Sequence, residues 1–576
     1  MARKTFFTSV FVISFLFLSS QNILAQAPPP QNPSPGQEPG AQASRYKYDV
    51  EKEKKRLEYK KPKAPKIEVE KEGVRPAAEG PSFILKDVNV TGSTVFKPQD
   101  LRKIYGSYIN KKVTFRDMET VSGKIESKYK EEGYFTTTVY IPEQDIKDGV
   151  IEIRIAEGKM GQLNVEGNKW FSNDFIRKFI HIKKNEIFNI KTLARDILRL
   201  NKNPDLEIKA VLSQGKDPLT SDVALKVEGK FPWHVGFLED NRGSRLTGKY
   251  RSMFTLRSSN ISGLGDTIFA NTLYTGNSFA ESVSYNVPVG TYGTKVGVDI
   301  TYFGMKLGKE FKSFDITGNT QIYTPHVSWE LALAEDSEAY ANLGIDIKSV
   351  KKGFEGASTA NEQLRIPYFG FDFSKTDSFG QSTFSPKFDF GTSGFLGASP
   401  RNYDKLSRPG TGGFFFKYEQ SLNRLQKMFL DSYMNIRSQF QIASRSLAPS
   451  EQFQLGGADS VRGYPEGDYL ADTGACINFD WVFPMYIIPK EWKLPGQETP
   501  LRHQIEPVFF VDIGGGKLNK ALPGERQDKF LAGIGGGLRV HFKYVSLRLD
   551  WAGNVGDKPA SGTGPSTFYF TFQSEI

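Results

Sequence analysis

The chain has 576 residues, 13% of them aromatic, with 55 glycines and a formal net charge of +10. Its mean hydropathy of −0.42 excludes a bundle of membrane helices but not a strand barrel, whose lumen and loops are polar. The positive charge comes without the clustered arginines and exposed aromatics of a nucleic-acid module, so no nucleic-acid partner is expected. The single thiol, Cys476, excludes any intramolecular disulfide.

Arg3 and Lys4 precede an apolar run from Phe6 to Leu18 that is too short to span a bilayer as a helix, and small residues follow. Residues 1–25 therefore read as a secretory signal peptide, cleaved after Ala25, with a weaker site after Ala27. Residues 26–80 read as a disordered linker. Within it, Pro28 to Ser44 is rich in Pro, Gln, Gly, Ala and Ser and cannot bury a core. Arg45 to Lys61 changes to charged helix formers and predicts a short helix over 45–61, stopped by Pro62 and Pro65. By itself this run reads as a solvated helix.

Two similar units follow, over 81–157 and 158–229. In the first, Val88 and Val90 make a strand ending at Gly92. A short helix carries Leu101 and Ile104, a second carries Met118, Val121, Ile125 and Tyr129, and strands over Thr136 to Ile141 and around Val150 to Ile155 close the unit. Leu163, Val165 and Gly167 repeat the opening 75 positions later. They lead into helices over Phe175 to Ile180 and Ile190 to Leu200 and strands at Ile208 to Leu212 and Val223 to Val227. The order β-α-α-β-β thus occurs twice in tandem.

Residues 230–576 hold runs of strict alternation separated by turn residues, about sixteen or seventeen in all, depending on whether Trp329 to Ala334 stands alone. Each run is apolar on one side and polar on the other, which predicts a closed antiparallel β-barrel with lipid outside and water inside. Between two of these strands lies LGGADSVRGYPEGDY, a Gly- and Pro-punctuated loop over 455–472 that carries Arg462. In the strand around Asp512, the more apolar set is His503, Ile505, Pro507, Phe509 and Val511, so Asp512 faces the lumen. A loop folded inward would deliver the Arg462 guanidinium to that carboxylate, which it can bond through both oxygens. The pattern leaves open that Arg462 is a solvated loop residue and Asp512 an ordinary lumen acid. The five histidines have no metal-ligand spacing, GGGK at Gly514 to Lys517 is no phosphate loop, and no nucleophile elbow is present. No cofactor, metal or enzymatic activity is expected.

FILKDVNVTGSTVF, YKEEGYFTTTVYIPEQDIKDGVIEIRIAEG and LNKNPDLEIKAVL resemble the two POTRA domains of the ShlB-type haemolysin activators, the TpsB transporters of two-partner secretion. PWHVGFLEDNRGSRLTGKYR followed by NISGLGDTIF resembles that family's entry into its barrel. Val461, Arg462, Gly463 and Tyr464 match the VRGY signature of the wider superfamily, and Phe510, Asp512 and Gly514 match its F-x-D-x-G. The resemblance implies sixteen strands, an Arg462–Asp512 contact holding the inward loop, and close backbone passage at Gly463 and Gly514. It also implies a plugging helix where 45–61 lies. The expected function is export of an unfolded exoprotein, bound by periplasmic POTRA domains and passed through an outer-membrane barrel without ATP. The barrel would meet outer-membrane lipid and need the barrel assembly machinery for its own insertion. Its last residue, Ile576, departs from the usual terminal Phe. An insertase for other barrels is the alternative, and a passive porin a third class.

Overall fold

Each of the two tandem units is a small sheet that buries one face under amphipathic helices. A computed structural model describes residues 35–58, 66–69, 82–146, 148–560 and 564–576; the expected signal peptide and much of the expected linker lie outside the described residues. In the first unit, Phe115–Glu131 starts on a capping box in which Thr114 and Asp117 satisfy each other's backbone N–H groups. The face of this helix bearing Met118, Val121, Ile125 and Tyr129 is fully buried against Ile151 and Ile153. The opening strand Asp87–Thr91 lies parallel to Val150–Ala156, which pairs on its other side with Thr138–Tyr140. An additional pair, Ser82–Ile84 with Lys112–Thr114, frames the unit.

The second unit repeats the plan. Lys159–Glu166 runs parallel to Thr220–Gly229, which is antiparallel to Leu206–Gln214. The helix Ile190–Leu200, capped by the Asn189 side chain, lays Leu193 and Ile197 on that sheet. Its free edge is taken by the chain itself: Ile67–Val69, within the stretch expected to be linker, pairs in parallel with Ala210 to Leu212. The three residues alternate apolar, acidic, apolar, which suits a sheet edge, but a run so short is invisible to periodicity.

Among the described residues, sixteen antiparallel strands close into a barrel, from Trp233–Asp240 to Ser566–Glu575. Trp329 to Leu333 belong to the long strand Thr317–Leu333 and do not form a separate one. The first and last strands meet through Gly236 to Asp240, and reciprocal backbone bonds between Val235 and Ile576 complete the seam. Alternation sorts the side chains. Phe509, Val511 and Ile513 are exposed on the outer wall, while Phe510 and Asp512 are buried on the inner one.

Two elements fill the lumen. One is a helix, α1 (Pro39–Glu58), which starts six residues before the expected Arg45 and ends three before Lys61. The Ala- and Gly-rich stretch expected to be disordered is therefore partly ordered, because its small side chains allow close packing. Ala41 and Ala43 are completely buried, and a Cβ on Gly40 would press on the Ser450 side chain. The other is the inward loop. It occupies everything between the strands Tyr433–Ala443 and Thr473–Val482, so it begins eleven residues before the expected Leu455. Inside it Phe453–Leu455 and Tyr469–Ala471 form a two-stranded ribbon.

Candidate functional site: the inward loop and the lumen helix

Arg462 is carried to the barrel wall by a backbone that only glycine can follow. Gly463 has φ +95°, and a Cβ there would strike the backbone of Gly553 and Asn554. Its N–H donates to the Tyr569 hydroxyl at 3.2 Å, which in turn donates to the Tyr464 carbonyl at 2.7 Å. The Tyr464 hydroxyl accepts from the Gly556 amide at 3.1 Å. On the wall, a Cβ on Gly514 would press on Val461 and Leu455, and one on Gly533 would overlap the Arg462 carbonyl oxygen. Bare glycine faces are therefore the surface against which the loop lies.

The structure brings Arg462 and Asp512 together, both with no solvent exposure. Nε donates to one carboxylate oxygen at 2.6 Å and Nη2 to the other at 2.7 Å, while the Arg462 amide adds a third bond at 3.0 Å. The guanidinium carbon sits 3.5 Å from the centre of the Phe510 ring. The pair was expected in a wet lumen; it is dry, because the loop itself excludes water.

Two further acids complete the site. Asp480 accepts from Nη2, and an Asp550 oxygen lies 3.6 Å from Nη1. Asn478, facing Asp512 across the strand pair, donates to it at 2.7 Å. Three carboxylates so close would repel one another, and basic side chains stand between them. Arg437 donates to Asp480 at 2.9 Å and Arg548 to Asp550 at 2.7 Å, and Arg539 lies 2.6 Å from Asp550. Both acids had a legible signal, since each stands at a polar position of an alternating strand next to the Asp512 strand or one removed from it.

The network continues to the helix. Asp459, three residues before Arg462, receives Arg242 and Lys52 at 2.5 Å each and has Arg437 and Arg548 within 4.0 Å. Arg242 also reaches Glu466 of the loop and Asp49 of α1. Around its circumference α1 touches strands over most of the wall, and the inward loop over the rest. Asp49 accepts from Arg251 at 2.8 Å, Tyr46 donates to Asn271, Lys47 pairs with Asp346 at 2.7 Å, Lys55 with Asp372 at 3.2 Å, and Glu53 accepts from Gln573 at 2.5 Å. Only a helix inside a closed cylinder can meet all of these walls. Twenty residues make about 30 Å of helix, and its ends differ. Glu38 pairs with Lys352 near the 355–356 turn, and Arg56 lies 3.7 Å from Glu575 at the chain's end.

The second of the tandem units is fastened to the mouth that holds the chain's end. Arg199 forks onto Glu330 with contacts of 2.6 to 3.2 Å, and Lys202 engages Glu338 and Tyr340. His181 bridges Asp196 and Thr291, and Asp205 receives Ser259 at 2.5 Å.

A closed barrel with a buried Arg–Asp lock on an inward loop, a helix through its lumen and POTRA units on one mouth defines an outer-membrane POTRA-barrel transporter, its POTRA units in the periplasm. The haemolysin secretion/activation protein ShlB/FhaC/HecB model matches residues 220–540, more than half of the chain, and the ShlB-type POTRA model matches 83–158. The chain belongs to this family, and it is a transporter of two-partner secretion whose partner is a secreted exoprotein. It is 23% identical over 428 residues to the heme/hemopexin transporter protein HuxB of Haemophilus influenzae, covering 70% of this chain and 73% of that one. It is also 23% identical over 491 residues to the outer membrane transporter CdiB of Dickeya dadantii, covering 82% and 83%. The solved structure of CdiB from Escherichia coli superposes with a TM-score of 0.72 at 18% identity, over 93% of this chain and 98% of that one.

Proposed function

We propose that the POTRA pair captures an unfolded exoprotein in the periplasm and that the chain passes outward through the lumen once α1 and the inward loop have moved, with no nucleotide and no enzymatic step. The observation that carries this reading is the nature of the lumen filling. α1 is held by ion pairs, side-chain hydrogen bonds and the packing of Ala43, Tyr46, Val50 and Leu57 on apolar wall residues, not by backbone pairing with the wall. These contacts are made by side chains and can be broken without unpairing a strand ladder, so the helix is a removable plug where a β-ribbon would be permanent. Backbone pairing at POTRA sheet edges suits a cargo without fixed structure, because its hydrogen bonds are sequence-tolerant. Arg462 and Asp512 anchor the inward loop while the pore is closed, with Val461, Gly463, Tyr464, Phe510 and Gly514 supplying the fit. Outer-membrane lipid surrounds the barrel, and the barrel assembly machinery inserts it through its C-terminal strand.

Deleting residues 35–58 tests the plug. Planar bilayers should show a large steady conductance for the deletion and brief, rare openings for the full chain. Equal conductance of the two proteins would reject it. Depletion in cells separates this function from the insertase alternative, since a transporter affects one secreted protein and an insertase the outer-membrane proteins at large.

A further inference from the structure

Most of the barrel's periplasmic turns are short, for instance 290–293, 334–336 and 542–544, but residues 483–504 make a far longer excursion between the strands Thr473–Val482 and Ile505–Lys517. It is a built element. Met485 N–H donates to the Arg502 carbonyl at 2.8 Å, Leu501 N–H to the Trp492 carbonyl at 2.7 Å, and Lys493 and Pro500 bridge. It leans on the neighbouring turn, where Tyr486 donates to the Leu430 carbonyl and Arg502 pairs with Asp431 at 3.3 Å while lying over the Tyr486 ring.

This folded loop and the turn it leans on expose large apolar side chains beside charged ones, Lys490, Glu491, Lys493 and Glu498. Ile487 is 87% exposed, Leu430 68%, Trp492 60% and Phe429 58%. Leaving such a group in water is unfavourable by the area it shows, and a soluble surface rarely collects them. Here they continue an interface already present. On the outer wall Phe509, Phe483, Trp481 and Phe429 form one ladder of rings with centroids 4.7 to 6.1 Å apart, and Phe509 is 64% exposed on the lipid-facing side. The ladder leads from the lipid band directly onto the turn that carries Leu430 and receives Tyr486. Tyr486 and Trp492, flanked by the charged Lys490, Glu491 and Lys493, are the amphipathic residue types of a membrane–water boundary.

Position supports the same reading. The POTRA fastenings described above fall at the periplasmic ends after the second, fourth and sixth strands, near Ser259, Thr291 and Glu330 with Glu338. The long loop follows the twelfth strand, half a turn of the sixteen-strand ring from their centre.

We propose that residues 483–504 form a foot that rests on the periplasmic phospholipid leaflet, with Ile487 and Trp492 inserted at the headgroup boundary. The foot braces the barrel against tilting on the side opposite the POTRA units.

The test uses the full chain in vesicles of phosphatidylethanolamine with phosphatidylglycerol, with no other protein present. Cys476→Ser removes the one native thiol, and nitroxide labels are placed at Ile487→Cys, at Val511→Cys as a lipid-facing reference and at Lys216→Cys as a water reference. Heat-modifiability on gels verifies that each variant is folded. Power saturation should give Ile487 high oxygen and low nickel-chelate accessibility, corresponding to a depth of about 5 Å. Behaviour like the Lys216 label overturns the proposal. So does protection of Ile487 that appears only when exoprotein is added, which would make the surface a protein-docking site.

Discussion

Lys52 of the lumen helix and Asp459 of the inward loop form an ion pair at 2.5 Å, so the two occupants of the channel hold each other. Asp459 also receives Arg242 of the wall, and through Arg437 and Arg548 it joins the charges around Arg462. Movement of one occupant therefore loosens the other. Lys52→Ala, which removes only the helix–loop pair, should raise the frequency of channel openings about fivefold, since a partly exposed pair contributes about 1 kcal/mol. Single-channel recording in planar bilayers reads this directly, and an unchanged opening frequency would separate helix from loop.

Arg462→Ala should abolish secretion while the barrel still inserts. The pair is dry, so removing one partner leaves an uncompensated buried carboxylate at a cost of about 3 to 5 kcal/mol. Arg462→Lys should fail as well, because an ammonium supplies neither the two-oxygen fork nor the flat face over Phe510. Exoprotein in culture supernatant, set against heat-modifiability of the membrane fraction, distinguishes a lost lock from a lost barrel.

Glycine positions on the wall give a sharper contrast. Gly533→Ala drives a methyl into the Arg462 carbonyl, and overpacking of this kind costs about 1 to 3 kcal/mol. Gly515→Ala points the other way, and its nearest neighbour, the Lys529 carbonyl oxygen, lies at an ordinary 3.5 Å. The first should reproduce the secretion defect and the second should behave as the parent, in the same assay and in thermal melts. Equal behaviour would mean that the loop does not depend on the bare wall.

Acid sensitivity of the first POTRA unit should track Glu157. Burial alone would push its carboxyl up, but the Thr94 hydroxyl, the Thr94 and Val95 amides and the Tyr129 hydroxyl all donate to it and hold it below the usual carboxylate range. A depressed folded value stabilises fully above the ordinary 4.5, and the contribution is lost as pH falls through the folded value. Glu157→Gln should therefore lower Tm at pH 7 and flatten its decline below pH 4.5, as melts across that range will show.

Lysine or arginine at position 199 offers a last contrast. Arg199 and Glu330 are nearly fully buried between POTRA and barrel, and the fork on Glu330 uses both Nε and Nη2. Arg199→Lys should widen the distribution of spin-label distances between the second POTRA unit and the barrel, because one ammonium cannot reproduce the fork.

Much of this architecture was legible because it rests on periodicity. Alternation assigned Asp512 to the lumen, and helical spacing located Met118 to Tyr129 and Ile190 to Leu200. The failures share a cause. Residues 39–44 look like linker because small side chains signal disorder in isolation, yet Ala41 and Ala43 are small so that they fit against the wall. Ile67–Val69 becomes a strand only by pairing with a strand that begins 139 residues later, at Leu206. The dryness of the Arg462 pocket is tertiary too, made by the loop's own coverage and written in no single residue.

The pairing of Ile67–Val69 with the second POTRA sheet sets a leash. Nine peptide steps separate Glu58 from Ile67, and a chain of that length reaches about 30 Å at full stretch. A helix expelled from the pore, with its strand still seated, stays within that radius of the sheet at an effective concentration in the millimolar range. If α1 leaves the pore as proposed, resealing would be an intramolecular return, independent of how many copies the membrane holds.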